Sequence, residues 1–153
     1  MNNLKIVAEP SSSEFVAFRL GTQEFGIDII SVREIRCWTP TTPLPRAPMY
    51  VRGVINLRGA VLPVIDLAQL LGLAVSEPSP SQVIIVVQIG GRIAGLLVDA
   101  VSDILAVMSD DIKQTPDVAS SVAKTFVLGI VVMDDRMISI LSLANITQIL
   151  DAS

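Results

Sequence analysis

Apolar and polar positions alternate along VAFRLG (16–21), and the alternation stops at a glycine. This predicts a strand entering a turn, with EFGIDII (24–30) returning as its hairpin partner. VREIRCW (32–38) fits either a short helix or another strand. TPTTPLPRAP (39–48) carries four prolines, which remove backbone donors and fix φ, so an extended connection is predicted there. GVINL and AVLPVID read as a second hairpin, joined across the polar pair Arg58-Gly59. Pro63 predicts an edge strand or a bulge. DLAQLLGL (66–73) switches to helical spacing. The most apolar tract, VIIVVQIGGRIAGLLV (83–98), is interrupted by Gln88, Gly90, Gly91 and Arg92, whereas a membrane span needs about 20 predominantly apolar residues.

After SEPSPS (76–81) the order recurs. At one offset Gly21 falls on Gly90, Gly26 on Gly95, Val32 on Val101, Glu34 on Asp103 and Ile35 on Ile104. At a slightly longer offset Gly53 falls on Gly129, Leu57 on Met133, Val64 on Ile140 and Leu67 on Leu143. DRMISILSLANITQIL (135–150) thereby repeats the strand and helix of GAVLPVIDLAQLLGL. Two matched blocks in the same order point to a duplication. The physical reading is two small β units packed face to face, each of roughly five short strands as in a small barrel. Neither is large enough for an independent core, so a shared apolar interface must join them.

Composition narrows the function. The chain has 153 residues, 51% hydrophobic and 17% charged, enough for a core and rich enough in apolar side chains to predict a partner surface. A net charge of −4 and singly scattered arginines give no footprint for nucleic acid. The first residues, MNNLKIVAEPSSS, have no apolar core of a secretory signal, and a cytoplasmic protein without direct membrane insertion is expected. Histidine is absent and Cys37 is the only cysteine, so Ser-His and Cys-His nucleophile pairs are impossible. SDDI (109–112) reads as a helix start capped by Ser109, and Asp134-Asp135 as a hairpin turn, rather than as metal ligands. No phosphate loop is present, and no cofactor or metal is expected. In GIDIISVREI, some of Ile27, Ile29, Val32 and Ile35 must be core, and the others are free to line a groove.

FRLGTQEFGIDIISVREI, TPLPRAPMYVRGVINLRGAVLPVIDL, GLLVDAVSDIL and LGIVVMDDRMISIL together resemble the CheW coupling proteins of bacterial chemotaxis, over about residues 14–150. The resemblance implies an all-β fold: two SH3-like five-stranded β-barrels around a shared hydrophobic core, with short helices. It implies a flexible tail at 1–13, a first barrel mainly at 14–73, a linker at 74–82, a second barrel mainly at 83–138 and a C-terminal strand and helix at 139–150. It also implies a scaffold with no catalytic activity. Its partners would be the regulatory domain of the chemotaxis histidine kinase and the cytoplasmic tips of methyl-accepting chemoreceptors.

Carried over by position, the kinase-binding residues are Leu44, Gly53, Ile55 and Leu57, and the receptor-binding residues are Ile29, Val32, Val83, Gly95, Val101 and Ile104. Glu34 and Arg58 form a hallmark polar pair, and Ser142 stands where many members have aspartate. By itself, Arg52 is expected to cover apolar surface with its stem and reach water with its head. Two rival readings are a coupling protein of a non-flagellar pathway, pilus or second-messenger, and a small-ligand-binding β-barrel.

Overall fold

The computed structural model describes residues 12–74, 77, 79–116 and 121–150. The chain runs β1 (Ser12–Leu20), β2 (Gln23–Asp28), a 3-10 turn (Ile29–Ser31), β3 (Val32–Cys37), β4 (Val51–Leu57), β5 (Ala60–Asp66) and α1 (Leu67–Leu70). It continues through β6 (Val83–Ile89), β7 (Arg92–Val98), β8 (Ala100–Met108), a second 3-10 turn (Ser109–Asp111), β9 (Ile112–Lys113), α2 (Ser121–Phe126), β10 (Val127–Met133), β11 (Arg136–Leu141) and α3 (Leu143–Gln148). One sheet has the order β8-β1-β2-β11-β10-β9 and the other β3-β6-β7-β5-β4. They form two β-barrel-like subdomains.

The halves repeat strand for strand. β1, β2 and β3 correspond to β6, β7 and β8, and β4 and β5 to β10 and β11. Register follows: Gly26 stands opposite Ile140 in the parallel pair β2–β11, and Gly95 opposite Val64 in β7–β5. The bulges match too, at Arg52 between Val51 and Gly53 and at Leu128 between Val127 and Gly129. Yet each hairpin joins the other half: β1–β2 lies between β8 and β11, and β6–β7 between β3 and β5. Sheet membership therefore departs from the division expected at residues 73 and 83. Periodicity tells which face a strand buries, not which strand lies beside it.

This exchange places β1 and β6 centrally and buries both of their faces. Phe15 and Ala17 point into one barrel with Leu105, Ile138 and Ile140, while Val16, Phe18 and Leu20 point into the core between the sheets. Ile84 and Val86 fill the other barrel, and Ile85 and Val87 the shared core. The run VIIVV is thus a strand buried on both sides, which removes the alternation seen in half-buried strands. In the shared core the Phe18 and Phe25 rings stack with centroids 6.0 Å apart.

Local expectations meet mixed outcomes. VREIRCW is a strand, with inner and outer positions alternating from Val32 to Cys37. Arg58-Gly59 turns with φ of +52° and +89°, and its counterpart turn begins at Asp134 with φ +54°. β5 is an inner strand rather than an edge, and Pro63 precedes Val64, where its second ladder begins. Ser109 caps nothing; Met108 holds the cap position, and its N–H donates to Asp111 Oδ2 at 3.3 Å. Of the predicted tail, residues 1–11 lie outside the described residues, while Ser12 and Ser13 already belong to β1. Residues 75, 76 and 78 of the predicted linker also lie outside them. No helix among the described residues is long and apolar enough to cross a membrane.

Candidate functional site

Residues 39–48 form a strap outside the named strands, tied to β4 by one bridge between Thr42 and Val54. Each donates its N–H to the other's carbonyl at 2.9 Å. The Thr41 hydroxyl donates to the Arg52 carbonyl at 3.2 Å. Leu44, 45% exposed, projects from this strap. Beneath it a cleft of about 320 Å³ is lined by Trp38, Pro40, Arg52, Val64 and Ile84.

Of the expected kinase-facing residues, only Leu44 is on the surface. Ile55 and Leu57 are buried inside the barrel, and Gly53 is buried at the strap. Alternation in β4 turns the neighbouring positions outward. Val54 is half-buried and Asn56 exposed, with exposed Val61 paired to Asn56 across the hairpin. Ile55 and Leu57 therefore pack beneath this face, and the outward positions beside them are Val54 and Asn56.

Glu34 and Arg58 meet: Arg58 Nη2 donates to Glu34 Oε2 at 2.5 Å. The contact is single, not a two-pronged fork. The other carboxylate oxygen accepts from Arg36 Nη1 at 3.4 Å. The Arg58 hydrogen bond, opposed by desolvation and aided by both arginine charges, holds the Glu34 carboxyl below its ordinary range. Glu34 lies on edge strand β3 and Arg58 follows the opposite edge β4, so the pair fastens the two ends of one sheet. The other barrel has a counterpart. Arg136 grips Asp103, on edge strand β8, through Nη1 and Nη2 at 3.0 Å each. Its Nη2 also donates to Glu24 Oε1 at 2.6 Å, and its Nε to both Glu24 oxygens. These hydrogen bonds lower both carboxyls and raise the guanidinium.

Arg52 does not reach for water. Its Nε and Nη2 donate to Asp66 Oδ2 at 2.9 and 2.7 Å, and Asp66 is buried. The bulge redirects the side chain toward the start of α1. There Asp66 Oδ1 also caps the helix by accepting from the Gln69 N–H at 3.2 Å.

Among the expected receptor contacts, Ile29, Val32, Val83 and Val101 are partly buried and pack against the shared core between the sheets. They form its rim, with Val32 and Val101 at corresponding positions on β3 and β8. Ile104 is exposed on β8, as its counterpart Ile35 is on β3, at 55% and 47%. Gly95 is elsewhere: it is buried in the barrel interior, where a Cβ would stand 2.8 Å from Ile84 Cγ2. Ile27 is fully buried core.

A family model for the CheW-like domain matches residues 14–150. The chain belongs to the CheW-like domain family. It is 53% identical over 133 residues to the chemotaxis protein CheW of Rhizobium meliloti (strain 1021), covering 87% of this chain and 86% of that one. The chemotaxis protein CheW of Klebsiella aerogenes is 33% identical over 142 residues, 93% and 86% of the respective chains. The scaffolding protein TtCheW from Thermoanaerobacter tengcongensis superposes with a TM-score of 0.79 at 36% identity, over 88% of this chain and 90% of that one. This CheW-like domain thus offers two distinct surfaces: the strap with the outer face of β4–β5, and the rim of the shared core.

Proposed function

We propose that this chain is a non-enzymatic coupling protein of bacterial chemotaxis, joining cytoplasmic chemoreceptor tips to the regulatory domain of the histidine kinase. Family membership along nearly the whole domain carries this reading, and the meeting of Glu34 with Arg58 supports it. The mechanism is docking. The strap and β4–β5 face present Leu44, Val54 and Val61 around polar Asn56 and Arg58, which suits the kinase. The rim residues Ile29, Val32, Val83 and Val101 present apolar surface that is only half-covered within the chain, which suits an apolar receptor helix. Such a protein works in the cytoplasm and reaches membrane arrays through its partners.

Co-precipitation with the kinase and a receptor cytoplasmic fragment tests this. Wild type is expected to retain both partners together. Val101→Lys places an ammonium where desolvation is costly, so receptor affinity should fall by about tenfold or more, the scale of a central interface residue, while kinase affinity holds. Unchanged receptor affinity would remove Val101 from the groove, and failure of wild type to bind either partner would refute the coupling role.

A further inference from the structure

The family resemblance implies that Gly53 belongs to the kinase-facing surface, yet it is buried and the groups pressed against it belong to its own chain. Its φ is +146°, where side chains are rarely accommodated. A Cβ built there would lie 2.3 Å from the Thr42 carbonyl oxygen and 2.7 Å from the Thr42 carbonyl carbon. These are backbone atoms of the strap, which cannot swing aside as a side chain would. The internal duplication offers an independent control. Gly129 holds the corresponding position on β10, and a Cβ there would lie 2.6 Å from the Lys113 carbonyl oxygen on β9. The pairing of Ile130 with Lys113 corresponds to that of Val54 with Thr42. In both halves, then, this glycine lets a crossing backbone segment lie flat on the strand. The requirement is internal to the fold and does not depend on a partner.

The two crossing segments differ. In the second half, the segment is the strand β9, paired at two positions. In the first half, four prolines in residues 39–48 lack backbone donors, and the strand pairing shrinks to Thr42 and Val54. The open space at Gly53 is what lets this bridge form, and Leu44 lies two residues beyond Thr42.

We propose that Gly53 is a positioning residue for kinase docking: it seats the strap through Thr42, and the strap presents Leu44 to the kinase. This rests on the reading that the kinase meets the first-half strap and β4–β5 face. Gly53 itself touches no partner.

The test separates that reading from the inference. Amide hydrogen exchange on the free protein needs no kinase. Gly53→Ala should speed exchange at the Thr42 and Val54 amides while the amides of β1 and β6 keep their protection. Unchanged exchange at Thr42 and Val54 overturns the inference. Binding to the kinase regulatory domain is then measured for Gly53→Ala, Leu44→Ala and the pair. Each single change should weaken binding about tenfold, and adding Gly53→Ala to Leu44→Ala should cost less than about a further twofold, because coupled sites are not additive. Full additivity means that Gly53 acts apart from Leu44 and overturns the inference. Thr42→Pro, which deletes the Thr42 donor and leaves Gly53 intact, should reproduce the loss of binding; normal binding by Thr42→Pro also overturns it. If Leu44→Ala binds normally while exchange at the strap responds as expected, the kinase reading fails and the seating of the strap stands.

Discussion

Arg58 sits in left-handed backbone at a turn where asparagine or aspartate is the usual choice, and a non-glycine residue there costs about 1 kcal/mol. The corresponding turn follows the usual chemistry with Asp134 at almost the same φ. The arginine therefore has another reason to be there, and its contact with Glu34 supplies it. Arg58→Ala and Glu34→Ala should each impair receptor-dependent kinase control with little change in melting temperature, since the arginine end is exposed. A double-mutant cycle on partner binding should be non-additive; strict additivity would dissolve the pair as a functional unit. The Arg136 cluster belongs to stability instead. Arg136→Ala strips hydrogen bonds from Glu24 and Asp103 and should cost about 1–2 kcal/mol at neutral pH. Both carboxyls titrate below their ordinary range in the folded state, so their contribution is complete above the unfolded pKa of about 4 and is lost as pH falls through the lower folded values. Denaturant melts should show the gap between wild type and Arg136→Ala closing below about pH 4; a constant gap down to pH 3 would exclude this assignment. Glu34 was legible beforehand only through resemblance. Arg52 was misread because nothing local announces Asp66 as its partner: the two meet across a hairpin and through a bulge.

Strand-to-helix junctions show how the duplicated elements have diverged. Asp66 and Ser142 hold corresponding positions and cap α1 and α3, accepting from the N–H groups of Gln69 and Asn145. Where the first half adds the Arg52 pair, the second has Leu128 in the matching bulge, so acid and base are both replaced. Ser142→Ala should therefore cost about 1 kcal/mol, a lost cap. Asp66→Ala should cost more, about 2 kcal/mol or above, because it removes the ion pair with Arg52 as well as the cap. Chemical denaturation would decide, and equal costs would mean that the ion pair adds nothing. Element types were readable where side-chain alternation is strict, as in the two β-hairpins. VREIRCW stayed ambiguous because a short amphipathic run fits both periods, and α2 went unread because six residues carry too little periodicity. The carry-over names Ile55 and Leu57, which face inward on β4, while their neighbours Val54 and Asn56 face outward, because successive residues of a strand lie on opposite faces.

Across the whole molecule, glycines and apolar runs made the repeat legible, whereas the exchange of hairpins between sheets was not. Pattern encodes burial, and neighbours are chosen by packing that spans the chain. Fragments cut between residues 74 and 79 should accordingly each lack cooperative melting and should regain it on mixing, as heteronuclear NMR would show; independent folding of either fragment would contradict the exchange. The exchange also orders events in time. When β1 and β2 first leave the ribosome, their flanking strands β8 and β11 have yet to be made. A nascent chain lacking residues 136–141 holds an apolar hairpin with one edge bare, the kind of surface that chaperones recognise and that aggregates when translation stalls. The last strand of the sheet is thus the one that releases the protein from its dependence on help, and a pause late in synthesis is more hazardous to this chain than to one whose halves mature in turn.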